Sequence, residues 1–130
     1  MIVLDASAVV ELLLQTSEGL GVGQRIYSQD ELLHGPHLLD LEVAQALRRC
    51  VQEAKISAER AAEALEDLQA LRLLRHPHHR LLPRIWQLRH NLTAYDAAYV
   101  ALAEQLHATL LTRDRRLSSA SGHHARVELI

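Results

Sequence analysis

The stretch "IVLDASAVVELLLQ" (residues 2–15) joins two patterns at Asp5. Ile2, Val3 and Leu4 form a short apolar run with no polar alternation. That is the pattern of a strand buried on both faces. The "SAVVELLLQ" that follows reads as a helix. A buried strand that ends on an acid and passes directly into a helix suits a parallel sheet, where each strand is followed by a crossover helix.

Outward from this unit the same alternation recurs. "TSEGLGVGQRIYSQD" carries three glycines and reads as a loop and a second helix, and "LLHGP" as a short strand ending at Gly35-Pro36. "HLLDLEVAQALRRCVQEA" places Leu39, Val43, Ala46, Leu47 and Cys50 at helical spacing. Ser57 is the expected N-cap of "AERAAEALEDLQAL". "RLLRHP" reads as a strand, "LLPRIWQLRH" as a helix with Pro83 in its first turn, and "TAYDAAYVALAEQ" as an amphipathic helix capped by Thr93. "ATLLT" is a strand, "RDRRLSSAS" a loop and short helix, and "RVELI" a last strand. The expected architecture is α/β: one domain over residues 1–130, with a parallel sheet of four or five strands and helices on both faces.

Composition narrows the class. The chain is 48% apolar with no Phe, so its core is aliphatic and disorder is excluded. Cys50 is the only cysteine, which rules out an internal disulfide and suits a cytoplasmic protein. Cys50 itself reads as a buried small hydrophobe rather than a nucleophile. Asp5 and Glu11 interrupt the N-terminal apolar stretch, and no basic leader precedes it, so it does not read as a signal peptide. No apolar run reaches the ~18 residues of a membrane span. The net charge of −2 does not advertise nucleic-acid binding, and all the basic residues except Lys55 are arginines.

The acids carry the functional signal. Asp5 follows the first strand, and Asp114 lies two residues past "TLLT". Both belong at the carboxyl edge of a parallel sheet, where open α/β folds bind ligands. Asp96 lies in the first turn of its helix, on the face that carries Tyr99, Val100 and Ala103. Glu42 lies in the first turns of another helix. Each acid taken singly has an ordinary reading as a helix cap or a dipole partner. Four of them at one edge would repel by roughly a few kcal/mol per pair at an effective dielectric near 20. Such a cluster takes up protons or binds a cation. Its hard oxygens select Mg²⁺ or Mn²⁺, whose bound water serves as a nucleophile in phosphodiester hydrolysis.

"VLDASAVV", Glu42 in "LLDLEVAQAL", "LTAYDAAYVALAEQL" and "LLTRDRRL" together resemble a PIN-domain ribonuclease, most closely the VapC-like toxins of toxin–antitoxin pairs. The resemblance runs from residue 2 to about residue 118. It implies a catalytic and metal-binding quartet of Asp5, Glu42, Asp96 and Asp114, with Thr112 or Ser7 as the accompanying hydroxyl. It further implies a Mg²⁺- or Mn²⁺-dependent endoribonuclease, a cognate antitoxin, a homodimer, and a structured RNA target such as tRNA or rRNA. Arg113, Arg115 and Arg116 could hold phosphates or simply be solvated. The expected walls of an antitoxin groove are the helices over 6–15, 18–29 and 38–53, and Arg48 and Arg49 read as ordinary surface residues.

The histidines of "RHPHHR" read as a surface loop rather than a zinc site, since no cysteine stands near to complete a tetrahedron. Trp86 reads as packed, at a dimer contact, rather than as a stacking platform. A phosphorelay receiver would require a lysine after a late strand, and Lys55 lies in a helical region. A haloacid-dehalogenase phosphatase would need a second Asp where Ser7 stands. The alternatives kept open are a non-toxin PIN-type RNA-processing nuclease and a non-catalytic RNA-binding or partner-docking module.

Overall fold

In a computed structural model describing residues 1–130, the apolar runs become five parallel strands. They are β1 (Ile2–Leu4), β2 (Leu33–Pro36), β3 (Leu73–His76), β4 (Thr109–Thr112) and β5 (Arg126–Leu129). The order across the sheet is β3-β2-β1-β4-β5. Every pair is parallel, with Ile2 opposite Leu33 on one side of β1 and Thr109 on the other. Successive strand residues point to opposite faces. Ile2, Val3 and Leu4 are nevertheless all fully buried, so the sheet is covered on both sides.

The helices are α1 (Ala6–Leu14), α2 (Ser17–Tyr27), α3 (Leu38–Gln52), α4 (Ala58–Ala70), α5 (Leu82–Gln87), α6 (Ala94–Leu106) and α7 (Arg115–Ser119), with a 3₁₀ turn over His79–Leu81. The expected caps Ser57 and Thr93 form, and Thr16 joins them: each accepts a hydrogen bond from the backbone N–H three residues on, and Pro83 lies in the first turn of α5. No helix is long and apolar enough to cross a membrane.

The strand order has one consequence for function. From β1 the chain runs outward through β2 and β3, then returns to the other side of β1 as β4. The sheet therefore has its switch point between β1 and β4. Loops leaving the carboxyl ends of those two strands diverge there and open a crevice.

Two expectations need correction, for α6 and for Cys50, whereas the glycines of "SEGLGVG" lie inside α2, within the helix expected over 18–29. Gly19 explains part of this, because a Cβ there would overlap the Glu11 carbonyl oxygen of α1. The α1–α2 turn closes only without a side chain. Helix α6 is not amphipathic through its middle: Ala97 through Ala103 are all buried, so those two turns are enclosed on every side. Cys50 is only half-buried.

Gly19→Ala should therefore lower unfolding free energy by at least about 2 kcal/mol, since backbone rather than a flexible side chain must yield. Gly21 is the control, because a Cβ at that position would meet nothing within 4 Å. Gly21→Ala should stabilise α2 by about 0.5–1 kcal/mol. Urea denaturation midpoints of the two variants check both signs.

Candidate active site

The crevice is built from the end of β1. Asp5 takes the N-cap position of α1 but does not cap it. Its backbone N–H donates to the Leu111 carbonyl at 3.0 Å, extending the β1–β4 pairing by one residue. Its carboxylate turns instead toward two hydroxyls. Ser7 Oγ and Thr112 Oγ1 each donate to Asp5 Oδ2 at 2.7 Å. Both hydroxyls also accept: Ser7 Oγ from Arg113 N at 3.0 Å, and Thr112 Oγ1 from Asp114 N at 2.9 Å. Two relays thus tie the loop after β4 to a carboxylate at the end of β1. Asp5 and Thr112 are buried, yet Asp5 Oδ1 is left without a protein donor.

The other acids are held in comparable ways. Glu42 extends from the first turns of α3, and the Tyr99 hydroxyl of α6 donates to its Oε2 at 2.8 Å. Asp114 caps α7, accepting from Arg116 N at 2.8 Å through Oδ1. The cap reading is therefore correct for Asp114 and leaves its second oxygen available. Asp96 lies in the first turn of α6, where Thr93 caps the helix through Asp96 N at 3.2 Å. In Asp5, Glu42 and Asp114, one oxygen is fixed by a neutral donor and the other is uncommitted.

These four segments meet. Asp5, Glu42, Asp96 and Asp114 line one cleft of about 700 Å³, together with Ser7, Gln45, Arg49 and Tyr95. Burial pushes the Glu42 carboxyl above its ordinary value. Repulsion from Asp5 and Asp96 adds to this, and the Tyr99 hydrogen bond opposes it. Asp96 is likewise raised by burial first and by Asp5 second, while Thr93 eases it down. Burial and the neighbouring Glu42 and Asp5 charges hold the Tyr99 phenol protonated, so it remains a donor.

No three His, Cys, Asp or Glu side chains stand as a ready-made ligand set anywhere in the chain. The donor chemistry nevertheless fits a magnesium-type ion, which needs one or two carboxylates and keeps its waters. Soft and imidazole ligands are absent from the cleft.

Tyr99 and Arg49 are the site residues that sequence reasoning missed. Tyr99 follows Asp96 by three positions on one helical face, and a buried phenol needs a partner. Arg49 lies seven residues after Glu42, two helical turns along α3. Arg113 is engaged elsewhere: its guanidinium donates to the Ile130 carbonyl and lies 4.0 Å from Glu18. Arg115 and Arg116 are exposed, Arg116 standing 3.7 Å from Asp114. The histidines form no metal centre; His34 Nδ1 and His76 Nε2 lie 2.9 Å apart, and His78 and His79 are exposed.

The chain matches the PIN domain model over residues 2–122. It is 45% identical over 129 residues to Ribonuclease VapC1 of Mycobacterium tuberculosis, covering 98% of this chain and 96% of that one. Ribonuclease VapC12 of the same organism is 42% identical over 130 residues, covering 100% and 99%. Among solved structures, VapBC2 from Rickettsia felis, bound to a DNA fragment from their promoter, shares the fold. Its TM-score is 0.70 at 13% identity, over 99% of this chain and 98% of that one.

The raised carboxyls have a thermodynamic sign. The folded chain holds protons on Glu42 and Asp96 more tightly than the unfolded chain does. Stability contributed by these groups is present when they are protonated. It is lost as pH rises from the ordinary values of 4.5 and 3.8 through the raised ones. Without metal, Asp96→Asn should melt about 1–4 °C higher than wild type at pH 7. The difference should shrink below pH 4, as scanning calorimetry in chelator would show.

Proposed function

The chain belongs to the PIN-domain family, and on that footing we propose that it is a divalent-metal-dependent endoribonuclease, the toxin of a toxin–antitoxin pair. One observation carries the reading: Asp5, Glu42, Asp96 and Asp114 come from four separate segments and line one cleft at the switch point. The names of the relatives, Ribonuclease VapC1 and Ribonuclease VapC12, support RNA as the polymer cut. Within that class the target is a structured RNA such as tRNA or rRNA, met in the cytoplasm.

Asp5 and Asp96 are the residues to hold Mg²⁺ or Mn²⁺, with Glu42 and Asp114 completing the oxygen shell or orienting water. When bound, the ion supplies charge neutralisation and Lewis-acid assistance at the scissile phosphate. The chain's own part is positional. Ser7 and Thr112 hold Asp5 through Oδ2, leaving Oδ1 without a protein donor. Tyr99 holds Glu42 through Oε2. Water is the nucleophile: its oxygen bonds to phosphorus, the bond to the leaving oxygen breaks, and a proton ends on that oxygen. Exposed Arg115 and Arg116 at the rim are placed to meet phosphates.

An antitoxin would cover a second feature. Leu12, Leu20, Gly23, Tyr27 and Leu71 line an apolar groove of about 690 Å³. Its third wall is the end of α4, where Asp67, Ala70 and Leu71 line it, rather than α3. Leu20 and Tyr27 are 65% and 70% exposed, a liability that a partner segment would remove. Leu41, 75% exposed beside Glu42, offers apolar surface for a second copy in a homodimer.

Purified protein incubated with total RNA should cut it in Mg²⁺ or Mn²⁺ and not in chelator. RNA retained but intact under every metal condition would replace the nuclease with a binding module. Asp96→Asn should lose at least about 100-fold in cleavage rate, and Tyr99→Phe, which frees the Glu42 carboxylate, about 10–100-fold. The Tyr99→Phe loss should appear equally as weaker Mn²⁺ binding by calorimetry. Leu20→Asp should abolish co-purification with the small product of a neighbouring gene while leaving RNA cleavage unchanged.

A further inference from the structure

The acidic cleft holds a single cation. Arg49 is the only positively charged side chain lining it, against Asp5, Glu11, Glu42, Asp96 and Asp114. None of those acids engages it. Glu11 is taken by the Thr16 hydroxyl, Glu42 by the Tyr99 phenol and Asp114 by the backbone N–H of Arg116. Glu53, one turn further along α3, is held by Lys55 at 2.8 Å. Arg49 is exposed and forms no ion pair, whereas Arg25, Arg75 and Arg84 are each bound to a carboxylate at 3.0 Å or less.

The cleft also holds a single aromatic ring. Tyr95 lines it from the first turn of α6, directly before Asp96, and is 66% exposed. The core side of α6 begins only at Ala97, so the Tyr95 ring packs nothing there. The other exposed aromatics, Tyr27 and Trp86, lie outside the cleft, Trp86 at 67% exposure on α5. Arg49 follows Glu42 by seven residues, about 10 Å along the α3 axis. One wall thus carries a free guanidinium beyond Glu42, and the start of α6 carries a free ring beside Asp96.

A cleft of carboxylates repels RNA wherever metal does not neutralise it, so a strand needs a cation at the wall. A guanidinium matches phosphate bidentately, and a tyrosine ring accepts any base by stacking. Bases in an A-form duplex are already stacked on each other, and only unpaired ones turn out onto a side chain. A second copy of the chain is the rival occupant. Arg49 and Tyr95 share one cleft with all four site acids, so a copy seated on both would cover the acids as well. We propose that Arg49 and Tyr95 are the substrate-binding residues of the cleft: Arg49 holds a phosphate neighbouring the scissile one, Tyr95 stacks on an unpaired base beside it, and the cut therefore falls in a single-stranded segment of the RNA. This rests on the ribonuclease reading and adds how the strand is gripped.

The full-length protein is titrated in Ca²⁺, which takes the same kind of oxygen ligands as Mg²⁺. The probes are a labelled mixed-sequence oligoribonucleotide of about 12 nucleotides, single-stranded or annealed to its complement. Anisotropy should show the single strand bound at least about tenfold tighter than the duplex. Arg49→Ala and Tyr95→Ala should each weaken single-strand binding about tenfold, with Tyr95→Phe recovering most of the loss at its position. Salt dependence separates the two roles from a merely structural one. The slope of log K against log salt should fall by about 0.7 in Arg49→Ala, and stay at the wild-type value in Arg49→Lys and Tyr95→Ala. Circular dichroism should show every variant folded, since both side chains are exposed. Cleavage of total RNA in Mg²⁺, run in parallel, tests the parent reading separately, and mapping the new ends should place the cuts in unpaired segments. Strand affinity that survives Tyr95→Ala, or a salt slope that survives Arg49→Ala, overturns the grip and leaves an active nuclease standing. Preference for the duplex, or cuts within helices, does the same. Binding with the expected variant effects but no cleavage supports the grip and removes the nuclease. A dimer that Tyr95→Ala splits at unchanged strand affinity assigns the ring to a second copy and overturns the proposal.

Discussion

One buried carboxylate, and the way it is satisfied, organises this molecule. Asp5 stands at the end of the central strand, where an unpaired charge would cost several kcal/mol. Ser7 and Thr112 meet that demand through a single oxygen, Oδ2. Because the same hydroxyls accept the backbone N–H groups of Arg113 and Asp114, satisfying Asp5 also positions the loop that carries Asp114. Geometry and chemistry are coupled here. The contacts that close the β1–β4 junction leave Oδ1 of Asp5 and one oxygen of Asp114 uncommitted.

That arrangement sets stability against the chemistry proposed for the cleft. Three acids neighbour Asp5 across it, and both Glu42 and Asp96 are pushed upward by burial and by like charge. A fold selected for stability alone would place apolar groups or cations there. The raised carboxyls persist because the surrounding elements over-determine them: α6 is enclosed from Ala97 to Ala103, and Tyr99 within it is fully buried and grips Glu42. Rigid burial of the helix fixes the phenol, and the phenol fixes the acid.

Much of this was legible in residue order, and the exceptions have identifiable causes. The first three strands were readable because their apolar runs end at Asp5, at Gly35-Pro36 and at Pro77. Thr16, Ser57 and Thr93 cap their helices, and the last two were expected from the sequence. The reason for a glycine at position 19 was not readable, because only packing shows the Glu11 carbonyl occupying the place of a Cβ there. Among the cleft residues, the four acids were readable from their positions at strand ends and helix starts. That Arg113 turns away from the cleft was not readable, because its partner, the Ile130 carbonyl, is remote in sequence. Trp86 was misplaced for a related reason: helical spacing with Leu82 describes a face without saying which side the core lies on.

Residue order alone dictated the alternation of strands and helices, the parallel sheet that follows from it, and the presence of acids at positions such a sheet gathers toward one edge. Those are local properties, set by periodicity and caps. Packing in three dimensions settled the rest: that β1 and β4 lie side by side, which oxygen of each carboxylate is committed, that Tyr99 holds Glu42, and that Trp86 faces outward. Each of these depends on how whole elements seat against one another, often through residues dozens of positions apart. Local periodicity carries no information about which distant surfaces meet.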